Sequence, residues 1–238
     1  MKAIAFCFIL CFSATLLFAQ GKMEKDLLKR GVEKMELRDF EGAANDFTMV
    51  LKLNPLNDLA YFNRAYTKQQ LGDHPGAIQD FSLALDINPS NPSAYFNRGR
   101  SRLGLEDFLG AMSDFTIAIK GNPKEEIFYQ FRARAKSGLQ DYRGAIQDLN
   151  RAIKMNRKEM QYIYERAEAY INLKDYVLAV QDLDQVVSKS PDDPNAYNAR
   201  ALVKLQGGDL NGACLDWSKA GELGDINAYA QIRKHCNN

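Results

Sequence analysis

Ala-Tyr-Phe-Asn-Arg occupies Ala60–Arg64 and returns unchanged at Ala94–Arg98, 34 residues later. The same step carries through the rest of the chain. Alanine stands at 43, 77, 111, 145, 179 and 213, and aspartate at 39, 73, 107, 141, 175 and 209. A large apolar residue recurs at Phe47, Phe81, Phe115, Leu149, Leu183 and Trp217, and a small one at Gly31, Ala65, Gly99, Ala133, Ala167 and Ala201. No insertion disturbs the register. The chain is therefore a repeat array, in which each unit buries its apolar face by stacking on its neighbours.

Within a unit the spacing predicts two helices. Tyr61, Ala65 and the residues up to Leu71 form one segment, which Gly72-Asp73-His74-Pro75 interrupts. Ala77, Ile78, Phe81, Ala84 and Leu85 then recur at steps of three and four, the period of an amphipathic helix. Asp73 stands where a carboxylate accepts from free backbone N–H groups at a helix start. Asn88-Pro89 ends the unit, because proline cannot continue a helix. Small side chains at Ala65 and Ala77 let the two helices approach, and Tyr61 and Phe81 fill the remaining space.

Arginine also repeats, at Arg30, Arg64, Arg98, Arg132, Arg166 and Arg200. Aspartate matches it on the second helix, at Asp46, Asp80, Asp114, Asp148, Asp182 and Asp216. A hairpin turning near Asp73 brings Arg64 level with Asp80, and likewise Arg98 with Asp114 and Arg132 with Asp148. An aspartate of the neighbouring unit is an equally good partner. The architectural reading is a ladder of partly buried bidentate pairs. The functional reading is a basic stripe for an acidic ligand, supported by Lys34, Lys68, Arg102, Lys136 and Lys204 four residues further on. Six aspartates in step with six arginines favour internal neutralisation.

These residues resemble the tetratricopeptide-repeat family, whose units are 34-residue helix–turn–helix pairs. The pattern is met by Tyr61, Ala65, Leu71-Gly72-Asp73, Ala77, Phe81, Ala84 and Pro89. Arg157 replaces the closing proline of the fourth unit, and Gly207-Gly208 the usual turn of the sixth. The resemblance implies an all-α fold, a right-handed α-solenoid of six units: 24–57, 58–91, 92–125, 126–159, 160–193 and 194–225. The tail from 226 to 238 reads as a capping helix, with Tyr229 and Ile232 laid over the open end of the last unit.

The resemblance also implies a concave groove lined by the first helices, where a protein or peptide partner binds. The groove columns vary between units, and they present Phe62, Tyr66, Phe96, Arg100, Gln130, Arg134 and Tyr164. Aromatic and arginine side chains on an exposed face are typical interface anchors. Packing of Phe62 and Phe96 between neighbouring first helices is the alternative. Some family members clamp the C-terminal carboxylate of chaperones with lysines and asparagines. Leu28, Val32, Ser93 and Asn97 depart from that set and Asn63 alone meets it, so no chaperone clamp is expected.

Basic and acidic residues nearly balance, 31 against 30, so no global field draws the protein to nucleic acid or anionic lipid. The first nineteen residues differ: Lys2 precedes an apolar run that ends in Leu-Phe-Ala before Gln20, the shape of a cleaved secretory signal. The expected location is secreted or periplasmic. The alternative keeps the segment as an anchor for a subunit of an envelope assembly. Cleavage leaves Cys214 and Cys236, eleven residues either side of Asp225, the expected turn into the cap. An antiparallel pair turning there sets them level, and an oxidising compartment favours a disulfide over two buried thiols. No phosphate-binding glycine loop, zinc-protease motif or nucleophile–base set is present. His74 and His235 read as solvated. No catalytic residue, cofactor or metal is expected, and the reading is a non-enzymatic scaffold.

Overall fold

A computed structural model describes the backbone of residues 2–236 and the side chains of residues 19–236. Among the described residues there are thirteen helices and no strand. They fall into two compact units, one ending at Asn122 and one beginning at Pro123. In the first, α1 (Lys2–Glu36) pairs with α2 (Phe40–Leu53), α3 (Asp58–Gln70) with α4 (His74–Ile87), and α5 (Pro92–Gly104) with α6 (Phe108–Gly121). In the second, α7 (Glu126–Gly138) pairs with α8 (Tyr142–Met155), α9 (Met160–Asn172) with α10 (Tyr176–Lys189), and α11 (Pro194–Gln206) with α12 (Leu210–Glu222). A shorter α13 (Ile226–His235) packs against α12.

Side chains of the expected signal, residues 1–19, lie outside the described residues except for Ala19. Among the described residues no helix is long and apolar enough to cross a membrane. Gln20 is already held by the first hairpin, its Nε2 donating to the Leu53 carbonyl at 2.8 Å.

Large and small columns meet in the core of each hairpin. Phe47, Phe81, Phe115, Leu149, Leu183 and Trp217 are all but fully buried. A Cβ added at Gly31 would stand 2.6 Å from the Phe47 ring, and one at Gly99 2.8 Å from Phe115. These glycines are there for space. Burying each large side chain contributes about 2–3 kcal/mol.

The second helices start on one device. Asp39, Asp73, Asp107, Asp141 and Asp209 each accept a 2.9 Å bond from the backbone N–H of the glycine three residues on. A Cβ at those glycines would lie 2.1–2.2 Å from the capping carboxylate. Asp175 faces Leu178 instead, and its cap bond stretches to 3.4 Å. The residue before each capping aspartate takes positive φ: Gly72 and Gly208 do so without steric penalty, whereas Arg38, Glu106, Gln140 and Lys174 sit near +60°.

The unit ends need no proline. Asn54, Asn88 and Asn156 stop their helices with a backbone bond to the residue four before. Their side-chain amides reach back to Glu24, Asp58 and Glu126 at the start of the same hairpin. Arg157 in the proline column therefore costs α8 no termination.

Both histidine expectations are corrected. His74 is half-buried against Gly104 of α5, with its Nδ1 out of solvent and unpartnered. His235 stacks on Trp217 at 5.6 Å and 22°. Around that stack the cap closes the end of the array. Ile232 and Cys236 pack on the cluster of Ala201, Ala213, Trp217, Ala220 and Ala228, and Tyr229 lies over Gly221. Cys214 and Cys236 are joined by a disulfide, Cα to Cα 5.9 Å.

Candidate functional site: the first-helix faces

The arginine column turns inward. In each hairpin Nε and Nη2 grip both oxygens of the aspartate sixteen residues on, as in Arg64–Asp80 at 2.8 and 2.7 Å. Arg30–Asp46, Arg98–Asp114, Arg132–Asp148, Arg166–Asp182 and Arg200–Asp216 repeat it. The bidentate partner is thus the unit's own aspartate, and Arg200 adds Asp184 of the preceding hairpin. The third nitrogen is used as well. Nη1 of Arg64, Arg98, Arg166 and Arg200 donates to Thr48, Ser82, Asn150 and Asp184 on the preceding hairpin. One guanidinium thereby closes its own hairpin and docks it on the one before. Arg64, Arg98, Arg132 and Arg200 also stand 5.4–5.8 Å over the rings of Tyr61, Tyr95, Tyr129 and Tyr197.

The basic column four residues on is internal too. Lys34, Lys68, Arg102, Lys136 and Lys204 pair with Asp46, Asp80, Asp114, Asp148 and Asp216 at 2.7–2.9 Å. Each of these five buried carboxylates holds two cations, so the stripe is neutralised internally. The bond from Arg30 holds the Asp46 carboxyl below its usual range, with Lys34 helping and burial opposing. Reciprocally, the Asp148, Asp182 and Asp216 carboxylates raise Arg132, Arg166 and Arg200.

What remains for a partner are the varied faces of the first helices. In the first unit, Phe62 rests edge-on against Phe81 (5.6 Å, 66°) and Phe96 leans on Phe115 (5.8 Å, 52°). Each ring is seated on its own hairpin's core and stays half-exposed. Tyr66 packs on the same cluster as Phe62, and the Arg100 guanidinium lies 5.9 Å from the Phe96 ring. Beneath them runs a buried polar layer. Gln69 Nε2 donates to the Asn97 carbonyl and to Ser101 Oγ.

In the second unit two expected contacts change role. Gln130 is buried and donates to Glu165 Oε1 at 2.6 Å, so it supports the face rather than forming it. Arg134 is exposed but paired, with Nη2 2.6 Å from the same oxygen and its guanidinium 4.8 Å over Phe131. Gln161 adds another donor to Oε1. Oε2 of Glu165 is out of solvent and has no partner. A buried acceptor without a donor costs about 1–3 kcal/mol. Tyr164 is half-buried among Ile163 and Val187, and burial raises its phenol. The neighbouring Tyr162 is pushed up to about 12, first by burial and then by Glu126, Glu159, Glu165 and Glu125.

Glu165 and Glu168 were missed as site residues. The signal was present for Glu168, an acid in a column that reads Tyr66, Arg100 and Arg134 in the units before. Among the described residues no group of three or more His, Cys, Asp or Glu could hold a metal ion.

A stack of hairpins with an invariant neutralised interior and varied first-helix faces defines a helical-repeat binding scaffold. The tetratricopeptide-repeat pattern matches residues 28–92 and 132–194, together more than half of the chain. The chain belongs to the tetratricopeptide-repeat family, and its fold is an all-α solenoid of helix–turn–helix units. No match was found among curated proteins. Solved structures resemble it in fold at low identity. PilF of Pseudomonas aeruginosa is 14% identical over 91% of this chain and 99% of PilF, with TM-score 0.70. YrrB, described as a tetratricopeptide-repeat protein with an unusual peptide-binding site, is 18% identical over 80% of this chain and 99% of its own, TM-score 0.67. A tetratricopeptide-repeat protein from Parabacteroides merdae is 23% identical over 90% and 84%, TM-score 0.62.

Proposed function

We propose that the protein is an exported, non-enzymatic scaffold that holds a peptide or protein segment along its first-helix faces. The observation that carries this reading is the cluster Phe62, Tyr66, Phe96 and Arg100. Its rings are braced on buried phenylalanines yet remain half-exposed, so an incoming chain meets anchors whose side-chain freedom is already lost. The peptide-binding site of YrrB supports the same use of the fold. The anionic-ligand reading loses its support, because its basic columns are paired with aspartates.

Export rests on the signal-like pattern of residues 1–19. Sequencing the N-terminus of the protein recovered from its producing cells tests it: Gln20 first supports export, and Met1 first supports the tethered alternative. Binding is tested by capture from an envelope extract with wild type, Phe96→Ala and Arg100→Glu. Arg100→Glu leaves the core ring contact intact, so loss of a captured band in both variants, with unchanged circular dichroism, supports the face. Equal capture by all three removes it.

A further inference from the structure

Between α7 and α9 lies a cleft of about 170 Å³, lined by Ala133, Arg134, Ser137, Glu165, Glu168 and Asn172, with Leu149 and Ala169 also in its wall. It belongs wholly to the second unit. Glu165 lines it with a side chain only 10% exposed, and Oε2 has no hydrogen-bond partner while Oε1 takes donors from Gln130, Arg134 and Gln161. One oxygen is oversupplied and the other has nothing. Glu168 stands three residues on, at the rim, where partial desolvation and the Glu165 charge raise its carboxyl while Arg134 offsets them. Asn172 spends its amide N–H on the Glu168 carbonyl, which leaves its side-chain oxygen as an acceptor. Two carboxylates against one arginine leave this small cleft net negative.

We propose that this cleft receives the side-chain ammonium of a lysine in a bound peptide. The inference rests on the groove reading above and names what that reading does not, a required residue type in the partner. The chemistry matches part by part. A lysine carries a compact charge with three donors, suited to Glu165 Oε2, the Glu168 carboxylate and the Asn172 oxygen. Its methylene stem lies against Ala133, Leu149 and Ala169 while the head reaches the acids. A guanidinium is broader and would meet Arg134 at the same mouth.

The test uses the chain from Gln20 onward and amide chemical-shift titration with Nα-acetyl-lysine methylamide. The norleucine and arginine counterparts and lysine-free glycine methylamide, which offers only an α-amine, serve as controls. Shifts are expected at Ser137, Glu168 and Asn172 with the lysine compound alone, suppressed by salt. Glu165→Gln and Glu168→Gln should each weaken them by about fivefold or more. Equal response to norleucine or to arginine, a response to the α-amine alone, or no response in a folded protein overturns the proposal. Because Glu165→Gln disturbs the bond to Arg134, Glu168→Gln is the cleaner variant. The compounds need no groove partner, so failure here leaves the capture experiment on Phe96 and Arg100 untouched, and the converse holds.

Discussion

The α3–α5 face of the first unit and the α7–α9 face of the second use the same backbone plan for different ends. On the first, positions 62, 66, 96 and 100 hold three aromatic rings and an arginine above buried phenylalanines. On the second, positions 130, 134, 164 and 168 hold a buried glutamine, a paired arginine, a tyrosine and a glutamate, and Arg134 and Glu168 line an acidic cleft. Below both, Arg98–Asp114 with Arg102 and Arg132–Asp148 with Lys136 are superimposable in chemistry. The exposed first-helix faces can differ between the units because the pairs that hold each hairpin together do not depend on them.

Removing the shared pairs should break both units alike. Asp114→Ala and Asp148→Ala each strand two cations at a buried site and should cost about 3–5 kcal/mol in urea unfolding. Asp46→Ala should cost less, since Arg30 is 57% exposed whereas Arg98 and Arg132 are 16% and 19%. A small loss at Asp114 or Asp148 would show that the ladder is not what sets the register.

The disulfide should separate the units. Opening a closure of 22 residues removes roughly 3 kcal/mol on the chain-entropy estimate. Reduction, or Cys236→Ser, should free α13 and expose Trp217, the chain's single tryptophan, so its emission shifts to the red. Hydrogen exchange in α3–α6 should stay unchanged. Faster exchange there would mean that the cap stabilises more than its own end.

Smaller effects come from the turns. Glu106→Gly in the first unit and Gln140→Gly in the second relieve a positive φ and should each raise stability by about 0.5–1 kcal/mol. Equal gains would confirm that both turns are strained alike.

The smallest difference is one of pH, and its sign differs between the units. Asp46, held low, contributes stability that is present above the ordinary carboxylate value of about 4 and lost as pH falls through its depressed folded value. Glu168, held high, binds its proton more tightly when folded, so its contribution is lost as pH rises from about 4 through the raised value. Glu168→Gln should therefore stabilise the protein at neutral pH by a few tenths of a kcal/mol, limited by its exposure. A destabilised variant would mean that Glu168 already has a compensating cation.

Much of the fold was legible because helical hairpins demand the same residue types at the same heights. The step of 34 located Phe47, Ala43 and Asp39 with their equivalents, and the arginine–aspartate columns announced an internal pairing. Other couplings repeat at the same step yet were not read. The glycine that donates to the capping aspartate, Gly42 to Asp39, is one, and Arg64 with Thr48 of the preceding hairpin is another. The face was harder. Gln130 and Arg134 looked like contacts because their columns vary, but variation does not say whether a side chain points to solvent or to Glu165.

Sequence alone determined the unit, its length, its two helices and the charges within it, because local periodicity and steric fit act over a few turns. Only tertiary structure decided that Glu165 has one oxygen crowded with donors and the other without a partner. That depends on donors brought from other hairpins, and no spacing along one helix records their arrival.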